Sequence, residues 1–274
     1  MAVTMADIAK LRKMSGAGMM DCKKALEEAN NDFDKAMEII RKKGQAVAAK
    51  RSDREASEGC VLSKTEKGFA AIVALKCETD FVAKNEEFIK LTEAILDCAM
   101  TNKPKTMEEL AALPMTDGRS VAEHITDRIG VTGEKMEIGF YEFVEATGVS
   151  SYIHPGNMLA TIVGFNEEVE YQVGRNIAMQ VAAMNPVGIT AEDVPAKIVE
   201  TEKEIAREKA IESGKPENII DKIVEGSLQK YFKENTLLSQ DNIKDNKQTV
   251  EQYLKSESAT LTVTNFKRVT LNVE

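Results

Sequence analysis

The sequence predicts an α+β protein in three parts: an N-terminal three-helix module, a two-part α+β core with an internal repeat, and a projecting antiparallel helical hairpin. Three observations lead there. Apolar residues recur at spacings of three and four through the first 54 residues, and again from about 190 to 232. From Glu58 the period changes to two or to continuous apolar runs bounded by glycine turns. One plan also occurs twice, as "GCVLSKTEKGFAAIVALKC" and "GVSSYIHPGNMLATIVGF": a short strand, a glycine turn, a long apolar strand, then a helix.

The elements follow in order. Thr4 caps a first helix with Met5, Ile8 and Leu11 apolar, and "SGAG" at 15–18 breaks it. A second helix from about Met19 to Ala29 carries Met19, Cys22, Ala25, Leu26 and Ala29. "NND" at 30–32 ends that helix and caps a third, which buries Phe33, Ala36, Met37 and Ile40. Arg41, Lys42 and Lys43 then precede Gly44, a combination that reads as a helix stop. A core this small suits a docking module better than an enzyme. Residues 45–56, "QAVAAKRSDREA", read as a helical or flexible linker whose Lys50, Arg51 and Arg54 form a basic face.

"GCVLSK" and "GFAAIVALKC" flank "TEKG" as a β-hairpin. A helix from about Asn85 to Met100 follows, with Phe88, Leu91, Ile95, Leu96 and Ala99 inward, then short helices at 106–112 and 119–129 and a strand, "EIGFYEFVEA". After the second copy of the plan comes the helix "YQVGRNIAMQVAAM". Thr190 to Asp193 reads as a capping box opening a charge-rich helix that runs to about Glu212. "SGKP" turns the chain into a second helix with Ile219, Ile220, Ile223, Val224, Leu228, Tyr231 and Phe232 at helical spacing. A last strand near 259–273 returns to the second half. The expected division is residues 1–54 as docking module and linker, 55–147 as first core half, 148–189 with 233–274 as second core half, and 190–232 as hairpin insertion.

The 274 residues carry a net charge of −9, which argues against a broad phosphate-binding surface and so against nucleic acid as the main partner. The N-terminus lacks a signal-peptide pattern, and no apolar run approaches the ~20 residues of a membrane span, so neither secretion nor a membrane partner is expected. Cys22, Cys60, Cys77 and Cys98 form no CxxC and lie far in sequence from His124 and His154, which excludes a zinc motif and reads as reduced thiols in the cytoplasm. "GAGMMD" at 16–21 follows a helix, lacks a third glycine, and places Asp21 where a phosphate would be repelled. His154, in "YIHPGN", reads as a turn residue without an orienting partner. No catalytic set, cofactor, metal or small-molecule substrate is therefore expected. What remains is a partner-binding protein.

The stretch "LKCETDFVAKNEEF", Leu75 to Phe88, sets a large apolar ring beside a carboxylate where a strand turns into a helix. A buried Phe contributes ~1.5–3 kcal/mol, so an exposed one suggests a use; the alternative is that Phe81 folds back onto its own core. "CETDFVAKNEEF" within it, and "LRKMSGAGMMDCKKALEEANND" from Leu11 to Asp32, resemble the two signature stretches of the bacterial elongation factor Ts family. "YIHPG", "IAMQVAAMNP" and "SGKPENIIDKIVEGSLQKY" are similar to further family segments, in the family's order along nearly the whole chain. Gln180 stands where the family often carries His, and "GNMLATIV" and "DNIKD" also depart from the pattern.

The resemblance implies a guanine-nucleotide exchange factor for elongation factor Tu, the GTPase partner, with an N-terminal module similar to ubiquitin-associated domains. Asp80, Phe81, Val82 and Ala83 match the family's magnesium-dislocation segment, in which the Asp and Phe push between helices of the GTPase. Gly16, Met19, Met20 and Lys23 in the first signature, and His154 and Gly156 in "YIHPG", are further partner-binding candidates on the same ground. The other class left open is an RNA-associated or chaperone-like adaptor using the N-terminal helices, supported by Lys50, Arg51 and Arg54.

Overall fold

Helix α1 (Met5–Ser15) opens on a capping box: the Thr4 hydroxyl accepts from the Asp7 amide, and the Asp7 carboxylate accepts from the Thr4 amide at 3.0 Å. It ends at Gly16, whose φ of 69° only glycine adopts without cost. Helix α2 (Met19–Glu28) and helix α3 (Phe33–Arg51) complete a three-helix module around Ile8, Leu11, Cys22, Leu26 and Ala36. The computed structural model in which these are seen describes residues 2–272.

Helix α3 corrects one expectation. It does not stop at Gly44 but runs on to Arg51, so most of the expected linker is helix. Gly44 is buried, and its backbone packs on that of Gly130 in another helix. The glycine serves close approach here instead of a left-handed cap.

Strands β1 (Glu58–Glu66) and β2 (Phe69–Cys77) pair antiparallel around Lys67 and Gly68. Helices α4 (Asp80–Ala83), α5 (Glu86–Asn102), α6 (Met107–Ala112) and α7 (Val121–Thr132) follow, and strand β3 (Met136–Glu145) then pairs with the free side of β2. Strands β4 (Gly148–Ile153) and β5 (Leu159–Phe165) and helix α8 (Tyr171–Met184) restate the opening of that plan. Beyond the arm described below come the short strands β6 (Asp241–Asn242) and β7 (Asp245–Thr249), helix α11 (Val250–Glu257) and strand β8 (Val263–Thr270). Strand β8 pairs with β5 as β3 pairs with β2, giving the sheet orders β1-β2-β3 and β4-β5-β8. The repeat extends to an irregularity: the register slips at Ala74/Leu75 in one sheet and at Gly164/Phe165 in the other, the same step of the two apolar strands.

Alternation explains why β2 is almost wholly buried. Phe69, Ala71, Val73 and Leu75 face Phe88, Ile95 and Leu96 of α5. Ala70, Ile72 and Ala74 face Ala160 and Ile162 of the second sheet. On the second sheet's outer face, Val163 and Phe165 meet Val173, Ile177 and Val181 of α8 and Leu254 of α11. The order of layers is helix, sheet, sheet, helix. The chain is thus α+β, with its sheets back to back.

The Thr190 capping box opens a single 3-10 turn, Ala191–Asp193, and not the long helix itself, because Pro195 intervenes and Ala196 starts afresh. Helices α9 (Ala196–Glu212) and α10 (Glu217–Asn235) then pack on each other through Ala206, Ala210, Ile220 and Val224, with Arg207 and Asp221 paired at 2.6 Å. The seam is narrow: Ile219 is partly exposed and does not join it. Among the described residues, no helix is long and apolar enough to cross a membrane.

Candidate partner-binding site

The turn after β2 is fixed from both sides. Thr79 caps α4, its hydroxyl accepting from the Val82 amide. The Glu134 carboxylate accepts from the Thr79 amide at 3.1 Å and from the Thr79 hydroxyl at 2.6 Å. The neighbouring Glu78 carboxylate accepts from the Lys135 amide at 2.7 Å and pairs with Arg51 at 3.4 Å. At the other end, Asn85 caps α5 and accepts from the Arg128 guanidinium at 2.7 Å. Both carboxylates that hold the turn lie on or beside the segment joining α7 to β3.

The four residues of α4 divide by direction. Ala83 is buried and Val82 packs against the main core, so these two anchor the turn. Phe81 is 85% exposed, the most exposed large apolar side chain among the described residues. Its ring therefore does not fold back on its own core, unlike Phe88, which is fully buried seven residues on. Asp80 accepts a hydrogen bond from the Lys84 ammonium at 2.6 Å, which holds its carboxyl below the usual range. A rigid turn presenting an apolar ring beside a charge, while its two other side chains hold it down, is a geometry for entering a pocket on another molecule.

The remaining candidates lie on two other elements. Met19, Met20 and Lys23 are exposed on α2, beside the stripe of Cys22, Ala25 and Leu26 that enters the core. Met19, expected on that stripe, lies at its exposed margin, and Lys23 is near Glu27 at 3.8 Å. Gly16 is a helix terminator. His154 and Gly156 form the turn between β4 and β5, where Gly156 has φ 94° and the exposed His154 ring meets the Tyr152 hydroxyl through Nδ1 at 3.1 Å. The Asn157 carbonyl accepts from the Val61 amide at 2.7 Å, which ties this turn to β1. Glu58 of β1 pairs with Cys77 just before the Phe81 turn. The two turns are therefore anchored three residues apart on one strand, about 10 Å.

Sequence reasoning missed the tethers Arg51, Glu78, Glu134 and Lys135. Thr79 and Glu134 are 55 positions apart, and nothing local announces such a pair. The Asp80–Lys84 pair, at i and i+4 spacing, carried a legible signal. Arg51 does not join the expected basic face: it is engaged with Glu78, which shortens that face to Lys50 and Arg54. Among the described residues, no group of three or more His, Cys, Asp or Glu is placed to hold a metal ion.

The class defined here is an α+β protein that presents an exposed apolar ring on a braced turn. A family model described as "Elongation factor TS" matches residues 78–273. Elongation factor Ts of Porphyromonas gingivalis is 69% identical over 274 residues, covering all of both chains. That of Azobacteroides pseudotrichonymphae is 57% identical over 275, and that of Bacteroides fragilis 47% identical over 331, again with both chains fully covered. The chain belongs to the elongation factor Ts family.

Proposed function

We propose that this chain is the guanine-nucleotide exchange factor for elongation factor Tu. It binds the GDP-bound GTPase, disturbs the magnesium site with the Asp80–Ala83 turn, and promotes GDP release so that GTP rebinds. The observation that carries the reading is Phe81, a phenylalanine left 85% exposed on a turn held by Glu78 and Glu134. Phe81 supplies apolar burial in the partner, Asp80 supplies charge and a hydrogen-bond acceptor, and Val82 and Ala83 fix the turn.

No bond is made or broken by the factor. Tighter binding to the empty GTPase than to its GDP form must, by linkage, weaken GDP by the same factor. Each tenfold weakening takes ~1.4 kcal/mol of differential binding. The rest of the contact is assigned to the ubiquitin-associated-like module of residues 1–54 through Met19, Met20 and Lys23, to the His154–Gly156 turn, and to the 190–232 hairpin as a projecting arm. The two core halves, 55–147 and 148–189 with 233–274, hold these in register, and the factor acts in the cytoplasm. The test is stopped-flow release of a fluorescent GDP from elongation factor Tu. Faster release with this chain is expected; an unchanged rate at micromolar factor overturns the reading.

A further inference from the structure

Helix α3 belongs to two cores. Its first half places Phe33, Ala36, Met37 and Ile40 in the N-terminal cluster, while Val47 and Ala48 pack into the main core beneath the first sheet. At 19 residues it spans about 28 Å. Midway it lies against α7, where Gly44 faces Gly130. A methyl group on Gly130 would stand 2.6 Å from the Gly44 Cα, a contact of backbone on backbone that nothing flexible can relieve. A methyl on Gly44 would stand 3.3 Å from the Thr126 carbonyl oxygen and 3.5 Å from the Gly130 Cα, tight but not blocked. Glycine is a poor helix former, so facing glycines inside two helices need a reason, and close approach supplies one.

The far end of the same helix reaches the wedge. Arg51, its last residue, pairs with Glu78 at 3.4 Å, and Glu78 also accepts from the Lys135 amide. Glu78 immediately precedes Thr79, the cap of the Phe81 turn. A continuous mechanical path therefore runs from the N-terminal module through the Gly44–Gly130 contact to the base of the turn.

We infer that α3 is a strut that fixes where the Phe81 turn stands relative to the N-terminal module, and that Gly44, Gly130, Arg51 and Glu78 are positioning residues for nucleotide release. This rests on the exchange reading above. With a flexible tether, docking the module would leave the wedge to find its pocket independently. With a strut, docking the module also aims the wedge, and the ordering cost is met in the free protein instead of on binding. Loosening the strut should affect release from the bound complex more than binding itself.

The experiment uses the full chain carrying Gly130→Ala, a change that favours helix locally, with its fold checked first by circular dichroism. GDP release at saturating factor, affinity for the GTPase, and amide hydrogen exchange over residues 78–84 are measured together. Release at saturation should slow by roughly tenfold, equivalent to ~1.4 kcal/mol, with a smaller change in affinity and faster exchange over 78–84. Gly44→Ala should shift the same quantities less. Arg51→Gln should slow release without touching the glycines, and combined with Gly130→Ala should add little, because both act on one path. Parental release and parental hydrogen exchange in a folded Gly130→Ala chain overturn the inference. Should that variant fail to fold, parental behaviour of both Gly44→Ala and Arg51→Gln overturns it equally. If the parent chain did not accelerate GDP release from the GTPase, the exchange reading would fall, while hydrogen exchange over 78–84 would still decide whether the glycine contact holds the turn.

Discussion

Phe81 and Phe88 form a matched pair, one ring outside and one inside within a single turn-and-helix segment. Phe88 is fully buried under the first sheet, so Phe88→Ala should cost ~3–5 kcal/mol. At about 2–4 °C per kcal/mol that lowers the melting temperature by roughly 6–20 °C. Phe81 is 85% exposed and loses little when truncated, within about 0.5 kcal/mol, the range of ordinary surface changes. Its energy should appear only against the partner: ~1.5–3 kcal/mol of burial, or a roughly tenfold to hundredfold slower GDP release. The assay is a melting curve of each variant alone, followed by stopped-flow GDP release for Phe81→Ala. A Phe81→Ala chain that melts as low as Phe88→Ala would make the ring a structural residue. A Phe81→Ala chain that melts normally and releases GDP at the parental rate would remove the wedge.

Asp80→Ala should slow release less than Phe81→Ala, since Asp80 is already satisfied by Lys84 and must exchange that partner for one on the GTPase; a larger loss in the same stopped-flow assay would reverse the assigned roles. Replacing the α9–α10 hairpin by a short turn between Val194 and Thr236 should leave most of the exchange activity, because its apolar seam of Ala206, Ala210, Ile220 and Val224 is closed on itself; complete loss in a well-folded variant would contradict this. Burial pushes the Cys60 thiol up to about 11 and the Cys77 thiol up to about 12, from an ordinary 9.0. Between pH 9 and 12 the unfolded chain gives up thiol protons that the folded chain keeps, so these groups stabilise the fold fully below pH 9 and progressively less above it. Mild alkylation near neutral pH should therefore modify the partly exposed Cys98 first, as read by peptide mass spectrometry, with Cys60 and Cys77 waiting for unfolding.

What could be read in the sequence was what is encoded locally. Thr4 and Asp7, or Asn85 before an apolar helical face, carry their caps within four residues. The doubled strand plan was legible because Ala70-Ala71-Ile72-Val73-Ala74-Leu75 and Ala160-Thr161-Ile162-Val163-Gly164-Phe165 repeat one alternation, and the structure carries that likeness to a shared register slip. The candidate site was legible only where apolar surface went unused, at Phe81. Its bracing was not, because Arg51, Glu134 and Lys135 meet the turn across 27 to 57 positions of chain. Nor did alternation on β2 say what covered its second face; a second sheet and a second layer of helices would leave the same pattern.

The misreading of Gly44 has a physical lesson in it. "RKKG" satisfies two signals of a helix end, basic residues in the last turn and a glycine after them. Those signals describe the backbone at one position and are silent on whether the apolar stripe goes on. At Gly16 and Gly133, where the helices do end, φ is 69° and 75°. At Gly44 the stripe continues: Ile40, Gly44, Val47, Ala48 and Arg51 keep spacings of four, three, one and three on one face. Gly130 is likewise interior to α7, the true stop coming three residues later at Gly133. A terminating glycine is required by its own torsion, whereas an interior glycine is required by a neighbour. The continuation of the stripe beyond the residue separates the two before any neighbour is known. By that criterion the sequence already held α3 as one helix through Arg51, and with it the connection between the N-terminal module and the turn that carries Phe81.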